Sequence, residues 1–514
     1  MTQHHHPGGL HERFLRGLAL SADRPALRIG SETITYRDLH HQALTWAGSL
    51  GEARTVGVLA GKTVTAYAGI LGTLYAGATV VPLHPDFPAA RTRHMLELSG
   101  ATAVIADDRG RAVLAGLGDD LPALVVAEPD PARVLSGPRP GTSPADTAYM
   151  LFTSGSTGRP KGVPISQGST RHYFELLDKR YDFTPDDVFS QTFDLNFDCA
   201  MFDLFCAWGS GATVDVTPQT AYLDLPAYLA GHGVTVWFAT PSAISLARRM
   251  NGLAPGSLPG LRWSFFAGEA LRAHDAADWQ AAAPSSTLEN IYGPTELTVT
   301  ITGHRWDPAT SPERCVNGLV PIGRVHEGHD HVLVDGDDRE TPVEGELLIT
   351  GPQTSAGYLD PADDAGRFVE RAGRRWYRTG DRVRRLADGE LVYLGRLDSQ
   401  VQLQGWRVEL AEVEHVLRSC EGVEEVVAVG APTASGTELV VYYTGEPRPA
   451  SRFARALREL LPKGMLPRHY QHLADFPLNS NRKVDRKELT RRAADLLERP
   501  AQRTGAALAP GAAG

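Results

Sequence analysis

The sequence lacks closely spaced cysteines, an excess of basic residues and a long uninterrupted hydrophobic run, and each absence excludes a class of protein. Only four cysteines occur in 514 residues, and none forms a CxxC pair: Cys199, Cys206, Cys315 and Cys420. We therefore expect free thiols in a reducing cytoplasm. The formal net charge of −10 argues against a surface that wraps nucleic acid.

No targeting or membrane-spanning segment is expected. The stretch MTQHHHPGGLHERF has no basic region followed by an apolar run, and its histidines are interpreted as part of a polar terminus. Between Thr63 and Pro85 the chain carries no charge, but Gly69, Gly72 and Gly77 interrupt it. The pattern predicts a buried helix, a turn and a strand rather than a membrane span.

The length favours several folding units, since 514 residues of which 42% are hydrophobic exceed one compact domain. In the first 140 residues, short β-branched runs alternate with helical patterns, which predicts α/β layering around a parallel sheet. Beyond about Val320, the strand EGELLIT and a hairpin with Asp388–Gly389 at its turn replace this alternation. The helical stretch ELAEVEHVLRSC and two later strands predict a small α+β unit.

A Gly- and Ser-rich stretch, LFTSGSTGRPKGV, has the composition of a phosphate-binding loop. Its glycines allow several backbone N–H groups to point at one anion, hydroxyls add donors, and Lys161 adds a mobile charge. It is not a P-loop, because Pro160 precedes the lysine and Gly162 follows it. Taken alone, the stretch is also compatible with a flexible linker.

Three later stretches carry candidate chemistry, each with a plain structural alternative. In NIYGPTELT, Tyr292 is placed to stack on a base, Thr295 to contact a phosphate and Glu296 to hold Mg²⁺, or the stretch is only a helix start. In YRTGD, Asp381 has the short charged side chain that accepts both hydroxyls of a ribose, or it is a turn aspartate. In NSNRKVDRKEL, Lys483 is either functional or a solvated surface lysine.

In this order, the stretches resemble the acyl-adenylate-forming superfamily, and specifically the amino-acid adenylation domains of nonribosomal peptide synthetases. The resemblance covers nearly the whole chain and includes TYRDL, LYAGATVVPLH, GELLITGPQTSAGYL and LLPKGMLPRHY. It implies a large N-terminal domain of layered α/β subdomains with a small β-barrel-like part, followed by a small, mobile α+β C-terminal domain. The implied boundaries are 1–395, 396–495 and a disordered tail at 496–514.

The resemblance also implies an ATP- and Mg²⁺-dependent site. The loop over the β- and γ-phosphates would contain Thr153, Ser154, Gly155, Ser156, Thr157, Gly158 and Lys161. Gly268 and Tyr292 would enclose adenine, Asp381 with Arg396 would bind the ribose, and Glu296 would hold Mg²⁺.

Two further positions concern the C-terminal domain. Asp398 would be its hinge, and Lys483 would enter the site to offset the repulsion between a substrate carboxylate and the α-phosphate. Two residues depart from the family's pattern. Gln402 stands where lysine is common, so any second-step role of that lysine is absent or moved, and the aspartate motif ends in Ala200 instead of serine.

The stretch QTFDLNFDCAMFDLF contains two Phe-Asp pairs, and the spacing fits the family better at Asp198 than at Asp194. If helical, it is apolar on nearly all sides and therefore buried, and a buried carboxylate needs a partner. We interpret Asp198 as the anchor of a substrate α-ammonium, with a hydrogen-bonded capping aspartate as the alternative. The other pocket positions implied by the resemblance are Cys199, Phe202, Phe238, Phe265, Ala267, Ile291, Val299 and Thr300.

This pocket has little space and no charge for a charged substrate side chain, so we expect alanine, glycine or serine as the substrate. No carrier-protein or condensation-domain signature is evident. In this respect the chain is similar to free-standing adenylation enzymes of antibiotic macrolactam pathways. We therefore expect a cytoplasmic ligase that loads a separate carrier protein, on its phosphopantetheine thiol or on a carrier-tethered amine. The alternatives are a D-alanine–carrier-protein ligase, an acyl-CoA synthetase-like ligase and a non-catalytic ATP-binding protein.

Overall fold

A computed structural model of the chain describes residues 9–117, 125–139, 142–154, 159–250, 252–397, 400–403, 405–433, 436–477 and 484–498. The uncharged stretch after Thr63 forms the predicted helix, turn and strand, Val64–Tyr75 and Thr79–Leu83. Within these ranges, none of the helices combines the length and apolar character needed to cross a membrane.

The strands of the described residues, numbered in chain order, form five sheets. Their bounds are β1 Pro25–Ile29, β2 Glu32–Thr35, β3 Thr55–Leu59, β4 Thr79–Leu83, β5 Ala103–Ala106, β6 Val125–Val126, β7 Thr147–Thr153, β8 Lys161–Ser166, β9 Val188–Gln191, β10 Thr213–Val216, β11 Val236–Ala239, β12 Trp263–Phe266, β13 Thr287–Tyr292, β14 Thr302–Arg305, β15 Arg324–Val325, β16 Asp330–Val334, β17 Glu344–Thr350, β18 Phe368–Arg371, β19 Arg374–Arg385, β20 Leu391–Arg396, β21 Gln400–Leu403, β22 Trp406–Glu409, β23 Val423–Thr433, β24 Gly436–Gly445 and β25 His469–His472.

The helices cover the sheet faces and connect parallel strands. Their bounds are α1 His11–Ser21, α2 Tyr36–Ser49, α3 Val64–Tyr75, α4 Ala89–Ser99, α5 Asp108–Gly116, α6 Gln167–Arg180, α7 Cys199–Ser210, α8 Leu225–His232, α9 Ser242–Arg249, α10 Ala273–Ala282, α11 Ser311–Arg314, α12 Leu410–Arg418, α13 Ala450–Arg458 and α14 Arg486–Glu498.

Two large sheets, mostly parallel, form the N-terminal part. The nine-stranded sheet has the order β15-β14-β13-β12-β11-β9-β10-β1-β2, in which the strands from β13 to β1 run parallel and the edge strands are antiparallel. The six-stranded sheet has the order β6-β5-β3-β4-β7-β8, and its edge pair β7–β8 is an antiparallel hairpin. This is the α/β layering that the alternation of patterns predicts.

The third sheet is antiparallel and corresponds to the β-barrel-like part that the resemblance implies. It has the order β16-β17-β19-β18, with β20 paired to β19. The predicted hairpin joins β19 to β20, and Gly389 takes a φ of +88° at its turn, a conformation that glycine adopts without a steric penalty.

The C-terminal unit combines the hairpin β21–β22, helices α12 to α14 and the three-stranded sheet β23-β24-β25. Its helix α12 and its strands form a separate hydrophobic cluster, as an α+β unit with its own core requires. The last helix of the unit, α14, ends at Glu498.

Helix α7 lies in the core of the N-terminal part, as its apolar pattern predicts. Every residue from Ala200 to Ser210 is buried. Helix α1 packs across it: Phe14 contacts Trp208 edge to face at 5.3 Å between ring centroids, and Arg13 Nε donates a hydrogen bond to the Phe205 carbonyl oxygen (2.7 Å). This packing fixes α7, which begins one residue after Asp198.

The α1–α7 contact predicts opposite effects for two helical glycines. A Cβ at Gly17 would lie 1.9 Å from the Trp208 carbonyl oxygen, whereas a Cβ at Gly231 would meet no atom within 4 Å. We expect Gly17→Ala to lower the free energy of unfolding by about 1–3 kcal/mol through overpacking. The control Gly231→Ala should raise it by about 0.4–1 kcal/mol. Urea unfolding would measure both, and equal stability of the two variants would contradict the packing described.

Candidate functional site

The candidate site lies where parallel strands of the nine-stranded sheet end. Strands β9, β11, β12 and β13 end at Gln191, Ala239, Phe266 and Tyr292, and the loops that follow them line adjoining cavities. Ligands of open α/β sheets bind at the carboxyl ends of the strands. The fold therefore brings four distant stretches of sequence to one edge.

The first cavity, here the Asp381 cavity, has a volume of about 500 Å³ and includes four residues predicted to hold a nucleotide: Gly268, Tyr292, Asp381 and Arg396. The Tyr292 hydroxyl donates to Asp381 Oδ2 (2.5 Å), and Arg396 Nη1 donates to Asp381 Oδ1 (2.8 Å). Burial raises the pKa of the Asp381 carboxyl, while Arg396 and Tyr292 act in the opposite direction. Asp381 lies within strand β19, so the turn-aspartate alternative does not apply.

The second cavity, here the Asp198 cavity, is small, at about 110 Å³. The predicted residues that line it are Thr153, Ser154, Asp198, Cys199, Ala267, Gly268, Thr295 and Val299. Asp198 is buried, and its Oδ2 has no hydrogen-bond partner among the described residues. Burial raises the pKa of its carboxyl to about 6. A hydrogen bond from Thr295 lowers this pKa, and the nearby charge of Glu296 raises it further. A cation entering this cavity would therefore find an unpaired acidic oxygen.

Five of the predicted pocket residues do not line the Asp198 cavity. Three lie behind it in one aromatic cluster, in which the ring centroid of Phe202 is 5.0 Å from that of Phe238 and 5.1 Å from that of Phe265. The Thr300 hydroxyl is hydrogen-bonded to the Tyr173 hydroxyl (2.9 Å), and Ile291 lines the Asp381 cavity.

The Gly- and Ser-rich stretch connects the antiparallel strands β7 and β8. At the base of this loop, Thr153 of β7 is paired with Lys161 of β8. Lys161 is buried, with its Nζ 3.3 Å from Asp363 Oδ1 and 5.2 Å from the centre of the Tyr358 ring. The predicted loop residues Gly155, Ser156, Thr157 and Gly158 lie outside the described residues, as do the predicted hinge Asp398 and Lys483.

Glu296 lies in a single 3₁₀ turn, Thr295–Leu297, so NIYGPTELT does not begin the α-helix considered as its structural alternative. The two residues after this turn, Thr298 and Val299, have φ values of +58° and +66°. β-branched residues rarely take such values, which cost of order 1–3 kcal/mol. Backbone strain of this kind is therefore concentrated directly beside the site.

The carboxylate of Glu296 is fully buried and balanced by a cation from the C-terminal unit. Arg407 Nη1 lies 3.0 Å from Oε2 and 3.3 Å from Oε1, and the Tyr358 hydroxyl donates to Oε1 (2.6 Å). Burial alone would raise the pKa of Glu296, but the guanidinium of Arg407 and the hydrogen bond from Tyr358 hold that pKa below its usual value. The carboxylate is thus held ionised in a position that accepts a cation.

This geometry fits Mg²⁺ that is held mainly by a nucleotide. Among the described residues, no three His, Cys, Asp or Glu side chains converge as a metal site. Proteins usually bind Mg²⁺ through one or two carboxylates together with substrate phosphates. The single ionised carboxylate of Glu296 matches that donor set.

Sequence reasoning missed Arg407, which lines both cavities at their junction. It occurs in the stretch QLQGWRVEL, but its partner Glu296 lies 111 positions earlier in the chain, and no local pattern indicates such a pair. Gln402, which replaces the family's lysine, also lines the junction, where its side-chain amide faces the carbonyl oxygens of Gly268 (3.3 Å) and Trp406 (3.2 Å). Ala200 is buried within helix α7.

The family model for AMP-binding enzymes matches residues 15–359 of this chain. A curated relative, the phosphinothricin tripeptide synthetase PhsC of Streptomyces viridochromogenes, is 34% identical over 511 residues, which cover 93% of this chain and 45% of the relative. The chain spans less than half the length of the curated relatives that it matches.

Solved structures similar to this chain cover nearly all of it. IdnL7 is 57% identical with a TM-score of 0.74, and the match covers 95% of this chain and 99% of that protein. The Vibrio cholerae adenylation domain AlmE, solved in complex with glycyl-adenosine-5′-phosphate, is 27% identical with a TM-score of 0.84 and coverages of 96% and 99%. These likenesses confirm the predicted α/β fold, with a large N-terminal and a small C-terminal domain.

The unpaired carboxyl of Asp198 predicts a stability effect that depends on pH. Because its pKa is raised from 3.8 to about 6, Asp198 favours folding below the lower value and loses that contribution as the pH rises through about 6. We expect Asp198→Asn to raise the free energy of unfolding at pH 8 by up to about 3 kcal/mol, and by less at pH 5. Urea unfolding at both pH values measures the difference.

The matched control is Asp194→Asn, in the other Phe-Asp pair. The Asp194 side chain is 39% exposed and its Oδ2 lies 3.9 Å from His84 Nε2, so this change should alter the free energy of unfolding by less than about 1 kcal/mol at either pH. A destabilising effect of Asp198→Asn at pH 8 would mean that the Asp198 carboxylate is paired.

Proposed function

The chain belongs to the AMP-binding enzyme family, as an adenylation domain of the nonribosomal peptide synthetase type, and we propose that it activates a small α-amino acid with ATP. The carboxylate of the amino acid attacks the α-phosphate, a C–O–P bond forms, and pyrophosphate leaves. The observation that carries this proposal is the unpaired carboxylate oxygen of Asp198 in a small cavity that adjoins the Asp381 cavity. An α-ammonium would give that oxygen a partner.

On the nucleotide side, Asp381 is proposed to accept the ribose hydroxyls, with Arg396 holding its carboxylate in place. The Asp381 carboxylate is already fixed from two sides, by Tyr292 and by Arg396. Such fixing orients a hydrogen-bond acceptor before the ligand arrives. Tyr292 and Gly268 line the same cavity and are proposed to enclose the adenine.

For the chemical step, the proposed requirement is positive charge at the phosphates. Glu296 would hold Mg²⁺, which would neutralise part of the triphosphate charge. Thr153, Ser154 and Lys161, with the glycine-rich loop between them, are proposed to hold the β- and γ-phosphates, since backbone N–H groups and a lysine suit that ligand. Lys483 is proposed to enter from the C-terminal domain and stabilise the charge of the in-line transition state.

The cavity size supports a small substrate, with alanine, glycine or serine proposed first. The Asp198 cavity measures about 110 Å³. Behind it, Phe202, Phe238 and Phe265 pack against one another at 5.0 to 6.3 Å between ring centroids, so a large side chain would have to displace well-packed rings. The glycyl adenylate bound by AlmE points in the same direction.

A third cavity, here the Lys463 cavity, supports transfer to a carrier protein. It measures about 760 Å³ and lies between the N-terminal part and the C-terminal unit. It shares six lining residues with the Asp198 cavity: Phe87, Phe193, Phe197, Thr240, Gly405 and Trp406. We infer that the thiol or amine of a carrier-bound arm reaches the aminoacyl adenylate through this cavity, in the arrangement described here. Residues 396–495 would reach this arrangement after adenylation by moving about the hinge at Asp398. Macrolactam biosynthesis is the proposed setting.

The first experiment is amino-acid-dependent exchange between ATP and pyrophosphate. The panel contains glycine, L- and D-alanine, serine, valine, phenylalanine, β-alanine and a short fatty acid. We expect exchange with the small α-amino acids, and a loss on the order of 10²–10³-fold in Lys483→Ala, because one electrostatic stabiliser is removed. The matched control is Lys487→Ala, an exposed lysine four positions later that should keep full activity.

Other results would redirect the assignment. Preference for D-alanine would favour a D-alanine–carrier-protein ligase. Exchange only with β-alanine or the fatty acid would remove Asp198 as the α-ammonium anchor and favour an acyl-CoA synthetase-like ligase. Exchange with no member of the panel would contradict the enzymatic proposal and favour a non-catalytic ATP-binding protein of the same fold.

Two exposed basic residues at the Lys463 cavity predict an effect on the second step alone. We expect Lys463→Glu with Arg468→Glu to slow aminoacyl transfer to a carrier protein about tenfold, because reversing rim charges slows association with an acidic partner. Exchange between ATP and pyrophosphate should not change. Lys179→Glu, at a residue that lines none of the three cavities, is the control. Equal transfer rates in all three proteins would rule out this cavity as the carrier's docking site.

A further inference from the structure

Arg407 pairs with Glu296 and also lies between the two cavities of the proposed site. Its side chain is 15% exposed, its Nη1 contacts both oxygens of Glu296, and its Nε donates to Gln400 Oε1 (2.9 Å). It lies at the junction of the Asp381 and Asp198 cavities, which is where an α-phosphate and a substrate carboxylate would meet. The guanidinium therefore occupies space that the proposed reaction requires.

Both oxygens of Glu296 already contact a donor while Arg407 is present. Oε2 faces Arg407 at 3.0 Å, and Oε1 accepts from the Tyr358 hydroxyl at 2.6 Å. A divalent cation on either oxygen would lie within a few ångströms of the guanidinium, and like charges at that distance repel strongly in a buried site. The two cations would therefore compete electrostatically for this carboxylate.

The backbone of the strand that carries Arg407 is tied to the N-terminal part. The Ser154 hydroxyl donates to the Arg407 carbonyl oxygen (2.6 Å) and accepts from the Glu409 N–H (3.2 Å). The Gly405 N–H donates to Glu269 Oε1 (3.0 Å). Ser154 also belongs to the proposed phosphate loop, so the docked hairpin engages two phosphate- and metal-binding elements at once.

The hairpin β21–β22, residues 400–409, is followed directly by α12, which carries a second buried ion pair to the N-terminal part. Arg91 Nη1 lies 2.7 Å from Glu412 Oε1, and the two side chains are 6% and 0% exposed. Removing one partner of such a pair is costly. Docking of the hairpin and of the C-terminal unit is therefore one coupled event.

We propose that Arg407 and Mg²⁺ are alternative counter-ions of Glu296, so that a docked hairpin and bound MgATP exclude each other. This inference rests on the proposed function, because it takes Glu296 as the Mg²⁺ ligand. It assigns Arg407 a positioning role: the residue keeps Glu296 ionised and the hairpin docked when no metal is bound. Binding of MgATP then requires withdrawal of the hairpin.

Linkage gives the size and sign of the effect. A ligand that binds only the undocked state gains apparent affinity when the docked state is destabilised. The gain in affinity equals the factor by which the equilibrium constant for docking falls. Replacing Arg407 removes the competitor and weakens docking. We expect the apparent affinity for Mg²⁺ with a non-hydrolysable ATP analogue to increase on the order of tenfold.

The test measures binding of that analogue by calorimetry over a range of Mg²⁺ concentrations, in the full chain and without amino acid. Arg407→Met is compared with Arg418→Met, a control at a half-exposed arginine that pairs with Glu414 inside the C-terminal unit. Arg407→Lys keeps the charge but not the forked set of donors, so it should increase Mg²⁺ affinity by a smaller factor. This variant replaces Arg407→Met in the test if Arg407→Met does not unfold cooperatively. In a Glu296→Gln background, Arg407→Met should no longer increase Mg²⁺ affinity.

A second measurement reports the hairpin directly. Trp406 precedes Arg407, and its ring centroid is 4.9 Å from that of Phe197. Its fluorescence should change when the Mg²⁺ complex of the analogue binds to the native chain, and the change should be absent in Trp406→Phe. Addition of Mg²⁺ without the analogue should have a much smaller effect.

Failure of this inference can be told apart from failure of the proposed function. If the native chain exchanges ATP and pyrophosphate while Arg407→Met leaves Mg²⁺ affinity unchanged or weakens it, the counter-ion inference is wrong and the function stands. If no exchange occurs with any amino acid and Mg²⁺ does not affect analogue binding, the proposed function fails and the inference fails with it.

Discussion

The site is organised around three buried carboxylates that cannot all be left without positive partners. Asp198, Glu296 and Asp381 come from three different loops or strands and line or adjoin connected cavities. Burial of an ionised carboxylate is costly unless a cation or hydrogen bonds compensate for the lost water. The chain compensates two of them from one short segment, through Arg396 at Asp381 and Arg407 at Glu296. The third, Asp198, retains one unpaired oxygen. The charge balance of the N-terminal part therefore depends on residues near the start of the C-terminal unit and on a ligand.

The fold explains why the anionic groups and their cations are on different parts of the chain. The parallel sheet brings the ends of β9, β12 and β13 to one edge and holds them by the packing of buried helices such as α7. The cations lie on β20 and β22, on either side of the junction between the N-terminal part and the C-terminal unit. Acids on the N-terminal sheet and cations at this junction are a suitable arrangement for a site whose charge changes during a reaction.

The sequence predicts those parts of this arrangement that local pattern or family spacing encodes. The period of apolar residues predicts the buried α7, and the burial of α7 in turn predicts that Asp198 needs a partner. Family spacing indicates Tyr292 and Asp381, which the fold brings within a hydrogen bond of each other. The pair Arg407 and Glu296 is not predictable in this way, because it joins positions 111 residues apart in two folding units. Phe202, Phe238 and Phe265 show what family spacing does not predict. Spacing places these residues near the site, but their packing in the structure shows that they do not line the Asp198 cavity.

Electrostatic coupling between two of the carboxylates links Asp198, the proposed anchor of the amino acid, to the cation at Glu296. The charge of Glu296 contributes to the raised pKa of Asp198, so an uncompensated Glu296 would disfavour the ionised Asp198 that an ammonium needs. Any cation at Glu296 reduces this repulsion, and the effect depends on the charge and not on the chemical identity of the cation. An exchange of Mg²⁺ for Arg407 would thus keep Asp198 ionised on both sides of the exchange. The amino-acid end of the ligand would remain anchored while the phosphate end is rearranged, which is the condition for retaining an aminoacyl intermediate between two successive steps.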